Sequence, residues 1–369
     1  MTVDVIIIGA GLAGTTAAYV LASKGIETLT IDRNECYPEA FRAEKIEPHQ
    51  ASLFRKFGLL DYRMPLTVPI GDIDVYKDRK VSRVNTIEQY GFNYTNTVNN
   101  FRKVLRKKSK ILCERITNIE LGDTIQTVTT VENEYTCRLV ILATGGSDTL
   151  LKKIGIKRIY DKSMVTLSFA FDLQLESGNQ FPFNGFNYTF NSTKNKLDYI
   201  TLFKIGDTMR ANIFTQWLPA SDEFKQFRES PLESMKKHFP HLITQIGKYK
   251  IVTKVQAFPT TFYRLSDISK PGIVIIGDEF QSVSPTTGTG LDKVTVDVDR
   301  LCNHYIPNWL KTPKMDANKI TQFYDDTNKR YTDYQSMKRW IDSRNRHYGF
   351  FKKYILKLYL RTKVAFHNW

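Results

Sequence analysis

Short apolar runs that lead into glycines divide this chain. Residues 3–8 precede Gly9, and residues 139–143 and 273–276 precede Gly145 and Gly277. A continuous apolar run of this length, bounded by glycine, is typical of a strand buried on both faces of a parallel sheet. The pattern therefore predicts an α/β fold with a Rossmann-like sheet whose strands deliver glycine turns to one edge.

The glycines after the first run have the spacing Gly9-x-Gly11-x-x-Gly14. Gly9 permits a sharp chain reversal, Gly11 lets a pyrophosphate approach the backbone, and Gly14 allows the following helix to pack closely on the strand. The N-terminus of that helix, at Leu12 and Ala13, would attract phosphate. A dinucleotide site is predicted, and the alternative is a set of glycines that only close a tight turn.

A second predicted strand, residues 27–31, supports the dinucleotide interpretation. It ends at Asp32, eighteen residues beyond Gly14, where a carboxylate can bind a ribose hydroxyl. The neighbouring Arg33 is included among the expected contacts. Arg42 follows on a polar loop, where it could meet a phosphate or flavin edge or could be solvated and paired with a nearby glutamate.

The late apolar run adds further candidates. Asp278 follows Gly277 and could bind a second ribose or a ribityl hydroxyl. A proline-glycine segment then opens a helix whose backbone N–H groups would stabilise negative charge on a planar ring. The candidates in this segment are Pro285, Gly288, Gly290 and Leu291, and Gly145 is a further cofactor candidate at the end of the middle run.

The remaining pattern predicts a second, mainly β domain interleaved with the nucleotide domain. Alternating and aromatic strands dominate two segments. The basic run at residues 102–110 is interpreted as a solvated helix face, and a binding patch is the less favoured alternative. We predict nucleotide-domain segments at 1–68, 97–163 and 265–310, substrate-domain strands at 69–96, a substrate-domain sheet at 164–264 and a basic helical C-terminal segment at 311–369.

Composition narrows the class of protein. Hydrophobic residues make up 41% and charged residues 25%, as expected for a folded globular chain. The four cysteines have no metal-ligand or redox spacing, so no bound metal is expected. No secretory segment is recognised and no apolar run reaches the ~20 residues of a membrane span, so a cytoplasmic location is expected. The net charge of +15 favours contact with phosphates, nucleic acid or an anionic lipid surface.

Together these motifs resemble the flavin-dependent aromatic hydroxylases, the single-component monooxygenases with the p-hydroxybenzoate hydroxylase fold, over roughly residues 1–310. The resemblance implies a Rossmann-like FAD-binding domain of the glutathione-reductase type, with FAD bound and NAD(P)H as a transient co-substrate. It also implies hydroxylation by O₂, through a flavin C4a-hydroperoxide, of a small apolar or aromatic metabolite. It makes Arg42 a cofactor contact. The flavin environment is then formed by Arg42, Pro285, Gly288 and Gly290. The reaction needs no side-chain nucleophile.

The sequence also departs from this family. The middle motif, usually Asp-Gly, reads Ala143-Thr144-Gly145-Gly146, so it lacks the aspartate associated with coupling NADPH to FAD. Gln281 and Asp292 stand where histidine and asparagine are usual. An FAD-dependent oxidoreductase that acts on carbon–carbon bonds without inserting oxygen is therefore an alternative. A basic flavin-binding module for membrane or RNA is another.

Aromatic residues on the predicted β-sheet are candidate substrate contacts, although alternate aromatics on strands also form cores. They are Phe169, Phe171, Phe214 and Trp217.

From Ser336 onward, nine basic residues accompany one acidic residue, with Lys353, Lys357 and Arg361 at i, i+4 spacing. Residues 336–369 could bind an anionic membrane surface peripherally or pack on the core, and nucleic acid is the less favoured partner. If this segment only binds lipid, a chain ending at Ser336 should retain FAD.

Overall fold

The computed structural model describes residues 2–42, 45–60, 67–84, 88–189 and 195–346. Its strands are β1 (Thr2–Ile8), β2 (Thr28–Asp32), β3 (Lys45–Ile46), β4 (Thr67–Pro69), β5 (Ile73–Lys77), β6 (Lys80–Val84), β7 (Tyr90–Phe92), β8 (Lys110–Cys113), β9 (Ile116–Glu120), β10 (Gln126–Thr130), β11 (Glu134–Leu142), β12 (Lys157–Leu175), β13 (Gly185–Thr189), β14 (Leu197–Ile205), β15 (Thr208–Thr215), β16 (Tyr249–Ile251), β17 (Gln256–Ser266) and β18 (Ile273–Ile275).

The helices are spread over the described residues, and the C-terminal third of these residues is mainly helical. They are α1 (Leu12–Ala22), α2 (Pro48–Lys56), α3 (Tyr94–Leu105), α4 (Asp148–Lys153), α5 (Asp222–Glu229), α6 (Pro231–His238), α7 (Leu242–Ile246), α8 (Gly290–Arg300), α9 (Ile306–Trp309), α10 (Ala317–Tyr324) and α11 (Thr327–Asn345). Short 3-10 turns occupy Gly277–Glu279 and Pro285–Thr287, and a π-helical turn joins α8 to α9 at Leu301–Tyr305.

The first sheet confirms the predicted Rossmann-like architecture. Its parallel strands lie in the order β8-β2-β1-β11-β18, and β10 and β9 continue antiparallel from the first half of β11. Ile8 lies opposite both Ile31 and Leu142, and Leu142 lies opposite Ile275. Four strands therefore end at the same level, and the turns that follow them meet at one edge of the sheet.

The second sheet is mainly antiparallel and has the order β16-β12-β15-β14-β13-β5-β6, with β17 also paired to β12. One of its faces packs against α5, α6 and α7 around a buried apolar cluster. The other face contacts the nucleotide domain, since Tyr199 donates from its hydroxyl to the Thr286 carbonyl at 2.7 Å and Ser284 donates to Thr166 at 3.1 Å. The second sheet therefore covers the edge where the glycine turns meet.

The start of the C-terminal basic segment is part of the core. Helix α11 buries Met337, Trp340 and Ile341 against Met164 and Phe262, and the Trp340 and Phe262 rings meet edge to face at 5.5 Å. The rest of the segment, with Lys353, Lys357 and Arg361, lies outside the described residues. Within the described ranges, no helix is long and apolar enough to cross a membrane.

The structure thus supports the alternative that this part of the segment packs on the core, so a chain ending at Ser336 should be destabilised. Such a chain loses Trp340, whose side chain is only 1% exposed, and removal of a buried tryptophan typically costs about 3–5 kcal/mol. We expect its free energy of unfolding, measured by urea titration, to fall by at least about 3 kcal/mol. A chain ending at Arg346, which keeps α11, is the matched control, and equal midpoints for the two chains would contradict the prediction.

Candidate functional site

The turn after β1 has no room for side chains at two of its glycines. Gly9 has φ +99°, and a Cβ placed on it would lie 2.6 Å from the Ala143 carbonyl oxygen. A Cβ on Gly14 would lie 1.9 Å from the Gly9 carbonyl oxygen. At Gly11, by contrast, a Cβ would only meet the Tyr37 ring at 3.7 Å. Gly9 and Gly14 are thus required by the fold, whereas Gly11 leaves space that suits a ligand.

Asp32 lies at this turn, as predicted from its spacing. Its carboxylate accepts hydrogen bonds from the backbone N–H of Ala10 at 2.7 Å and of Asn34 at 2.8 Å. Both bonds come from the backbone, so they fix the carboxylate while leaving further lone pairs for a ribose hydroxyl. Leu12, Ala13 and Arg33 lie beside it at the start of α1 and the end of β2.

Arg102 is a functional candidate that the sequence interpretation missed. It was assigned to a solvated basic face, yet its side chain is 1% exposed. Its guanidinium donates to the carbonyls of Ala10 and Asn34, both at 2.8 Å, and lies 3.2 Å from the Asp32 carboxylate. A buried cation directly beneath the glycine turn suits a pyrophosphate. The signal was its place on the apolar face of α3, four residues after Val98 and three before Leu105.

Arg42 and Asp278, predicted separately as cofactor contacts, form an ion pair at 2.9 Å. Tyr263 donates from its hydroxyl to the Asp278 carbonyl, and burial raises the pKa of this tyrosine well above its usual value. The Arg42 and Asp278 side chains are 45% and 39% exposed. Both side chains therefore lie at the rim of the site. There each can give up part of the ion pair and contact a ligand instead.

Glu279 is the second residue that sequence interpretation missed. Its carboxylate is fully buried and accepts hydrogen bonds from the Thr144 hydroxyl at 2.5 Å and the Gly146 N–H at 2.9 Å. Arg158 donates to its other oxygen at 2.9 Å and also pairs with Asp148. Burial raises the pKa of Glu279, and the Thr144 and Arg158 contacts oppose that shift. A carboxylate therefore contacts the middle motif after all, contributed by the late Gly-Asp segment.

The proline-glycine segment is open on one side. A 3-10 turn at Pro285–Thr287 ends at Gly288, which is left-handed with φ +66°, and α8 begins at Gly290. A Cβ on Gly288 or on Gly290 would meet nothing within 4 Å. The backbone at these two glycines thus leaves room for a planar ligand, although the Gly288 N–H already donates to the Pro285 carbonyl at 3.4 Å. The Leu291 side chain is buried in the core, so Leu291 can contribute only its backbone.

A buried ionic cluster ties this helix to the C-terminal helix. Lys293 of α8 pairs with Asp333 of α11, and Lys329 lies 2.9 Å from Asp297 and 3.1 Å from Asp333. Asp297 in turn accepts a hydrogen bond from the Gly277 N–H at 2.9 Å. The four side chains are at most 5% exposed, so the charges compensate each other and fix α8 relative to the late motif.

The four aromatic substrate candidates separate between the two faces of the second sheet. Phe169, Phe171 and Trp217 belong to the core cluster under α5 and α6, where Phe169 packs on Phe227 at 4.4 Å. Phe214 lies on the opposite face, 4.7 Å from the Tyr199 ring that contacts the proline-glycine segment. Only Phe214 among the four therefore lies toward the predicted cofactor, because strand alternation sends its neighbours into the core.

These features define a class of protein: a two-domain flavoprotein with a Rossmann-like FAD-binding fold and a β-sheet over the cofactor's edge. A family model described as an FAD binding domain matches residues 2–305. The chain belongs to this family, the FAD-binding monooxygenases with the p-hydroxybenzoate hydroxylase fold, as the motifs predict, and FAD is its cofactor.

Individual proteins are similar to this chain in part of the sequence or in fold. The chain is 37% identical over 67 residues to a 3-(3-hydroxy-phenyl)propionate/3-hydroxycinnamic acid hydroxylase of Mycolicibacterium smegmatis, an alignment that covers 18% of this chain and 12% of the relative. A p-nitrophenol 4-monooxygenase from Pseudomonas putida has a similar fold, with a TM-score of 0.72, 15% identity and coverage of 93% and 89% of the two chains. A geranylgeranyl bacteriochlorophyll reductase-like protein from Thermoplasma acidophilum is similar at a TM-score of 0.70, with 13% identity and coverage of 94% and 88%.

Proposed function

We propose that the protein hydroxylates a small apolar or aromatic metabolite with O₂, and that NAD(P)H supplies the electrons. The observation that carries the proposal is the position of the proline-glycine segment against the second sheet, where Tyr199 binds the Thr286 carbonyl and Phe214 packs beside it. A planar cofactor on the open glycines would have this mixed aromatic and polar face above it. The arrangement suits a small ring held between sheet and cofactor.

The residues of this chain have distinct roles in such a reaction. Bound FAD would supply the redox chemistry that transfers electrons to O₂. The glycine turn, Arg102 and Asp32 would hold its dinucleotide part, and Arg42 with Asp278 would border its entrance. The N–H groups at the start of α8 would stabilise negative charge on the ring system, and Pro285 would contribute an apolar wall that excludes water. None of these roles needs a side-chain nucleophile.

An oxygen-independent oxidoreductase acting on carbon–carbon bonds is a second candidate. Thr144-Gly145 in place of the Asp-Gly motif favours it, because the aspartate associated with NADPH coupling is missing at Thr144. The reductase-like protein of the same fold is consistent with this alternative. A basic flavin-binding module for membrane or RNA, without turnover, is a third and rests on the net charge of +15.

Isotope labelling separates these functions. The FAD-loaded protein is incubated with NADPH or NADH, labelled O₂ and either p-nitrophenol or 3-(3-hydroxyphenyl)propionate, and the products are analysed by mass spectrometry. We expect substrate-stimulated nicotinamide oxidation and one labelled oxygen atom in the product. The same reaction without O₂ is the control. A reduced product under anaerobic conditions would support the second candidate, and a protein that cannot be loaded with FAD would overturn the proposal.

A further inference from the structure

A row of polar side chains crosses the middle of the second sheet. Asn187 on β13 lies opposite Thr201 on β14, and Thr201 lies opposite Asn212 on β15. The row continues through Ala170 on β12 to Gln256 on β17. Directly opposed residues project from the same face of a sheet, so these side chains share one surface. The alanine is the small member of the row and leaves space beside Asn212.

This row lies on the face that contacts the nucleotide domain. Tyr199, two residues before Thr201 on β14, lies on one side of the row and contacts the proline-glycine segment at Thr286. Arg210, two residues before Asn212 on β15, lies on the opposite side of the row. Its guanidinium stacks on the ring of Phe41, with the guanidinium carbon 3.8 Å from the ring centre. The polar row therefore lies between two contacts to the cofactor-binding domain, on the face of the sheet that is turned toward that domain.

Two oxygen atoms in the row need a partner. Within the described residues, Thr201 Oγ1 and Asn187 Oδ1 are buried and make no hydrogen bond to the protein. Thr201 as a whole is only 7% exposed. A buried polar atom without a partner is unfavourable, so such atoms mark places where a ligand or a water completes the hydrogen bonding.

The charged side chains beside the row indicate the charge and the hydrogen-bonding group that the ligand should have. Arg210 is ion-paired with Asp172, its cross-strand neighbour. Burial raises the pKa of Asp172 and lowers that of Arg210, and the ion pair between them favours the charged form of each. The row itself contains no charged side chain. The positive charge of the Arg210 guanidinium is thus already compensated by Asp172. The unpartnered Asn187 Oδ1 atom can only accept a hydrogen bond.

We propose that Asn187, Thr201 and Asn212 form a specificity site for an uncharged hydrogen-bond donor on the substrate, such as a hydroxyl or primary amide. This inference rests on the proposed function, because it assumes that the substrate ring lies between this sheet and FAD. The site discriminates against a carboxylate at the same position, because the Arg210 guanidinium is already paired with Asp172 and a carboxylate would leave the Asn187 Oδ1 without a donor. It would also discriminate against an entirely apolar ring, which leaves both oxygens unpaired.

A ligand titration of the FAD-loaded protein tests the proposal without turnover. Phenol, benzamide, benzoate and toluene are added in turn, and dissociation constants are read from the flavin absorbance change. We expect phenol and benzamide to bind about tenfold or more tightly than benzoate and toluene. Thr201→Val, which preserves side-chain shape, and Asn187→Leu should each weaken phenol binding and strengthen toluene binding, because each removes an oxygen that toluene leaves unpaired. Thr127→Val, on β10 of the other domain, is the matched control.

The outcomes separate this site from the function on which it rests. Benzoate binding as tight as that of phenol, an unchanged phenol affinity in Thr201→Val, or no absorbance response to any of the four compounds would overturn the specificity site. In those cases O₂-dependent labelling of a product would still support the monooxygenase. A protein that does not take up FAD would overturn both.

Discussion

Replacement of Gly14 by alanine is expected to unfold the nucleotide domain. The new methyl group would lie 1.9 Å from the Gly9 carbonyl oxygen, a backbone atom that cannot move without breaking the turn between β1 and α1. We expect a loss of more than about 4 kcal/mol in the free energy of unfolding, which is the range of severe core disruption. Urea unfolding of the FAD-free protein, followed by circular dichroism, measures this directly.

Gly11→Ala is the matched control for this prediction. Gly11 has φ −73°, which alanine adopts readily, and the added methyl would make only an ordinary contact with the Tyr37 ring at 3.7 Å. We expect this variant to stay within about 1 kcal/mol of the wild type in unfolding, yet to bind FAD weakly, because the methyl occupies the approach of the pyrophosphate. Equal losses of stability in Gly14→Ala and Gly11→Ala would contradict the prediction, because the structure has room for a methyl group at Gly11 and none at Gly14.

Glu279→Ala is expected to have the second largest effect. The substitution leaves Arg158, which is 2% exposed, without its buried carboxylate partner, and it removes the acceptor for Thr144 and Gly146. Breaking a buried ion pair by removing one partner typically costs about 3–5 kcal/mol. We expect a stability loss of that size, together with weaker FAD binding, because the turn at Gly145 and Gly146 is no longer held. Urea unfolding and fluorescence titration with FAD measure the two effects.

Two further variants make this prediction specific. Glu279→Gln keeps an oxygen for hydrogen bonding and loses only the charge, so its stability loss should be smaller than that of the alanine variant. Glu134→Ala removes an exposed glutamate at the start of β11 and should change stability by no more than about 0.5 kcal/mol. If Glu279→Ala resembled Glu134→Ala, the buried network would have no energetic role.

The sequence predicted most reliably those features that depend on neighbouring residues. The apolar runs identified β1, β11 and β18, and the glycine spacing located the dinucleotide turn, because strand burial and chain reversal are local properties. The spacing of Asp32 placed it at that turn because a strand, a helix and a second strand have nearly fixed lengths. Arg42 and Asp278 were identified separately, and their pairing became visible only in three dimensions.

Other features required the tertiary structure. Arg102 and Glu279 each occur in segments whose charge suggests exposure, yet both are buried because residues distant in sequence provide their partners. The aromatic strands could not show which face meets the cofactor, since alternation defines two faces but not their neighbours. Phe169, Phe171 and Trp217 face the helices, whereas Phe214 and the polar row face the nucleotide domain.

The sequence by itself thus determined the fold, the family and the cofactor turn, and the packing of the two domains decided which side chains form the rest of the site. The physical reason is that backbone turns and strand burial follow from residues close in the chain. The partner of a buried charge, and the face of a sheet that meets a ligand, depend instead on which elements the fold brings together.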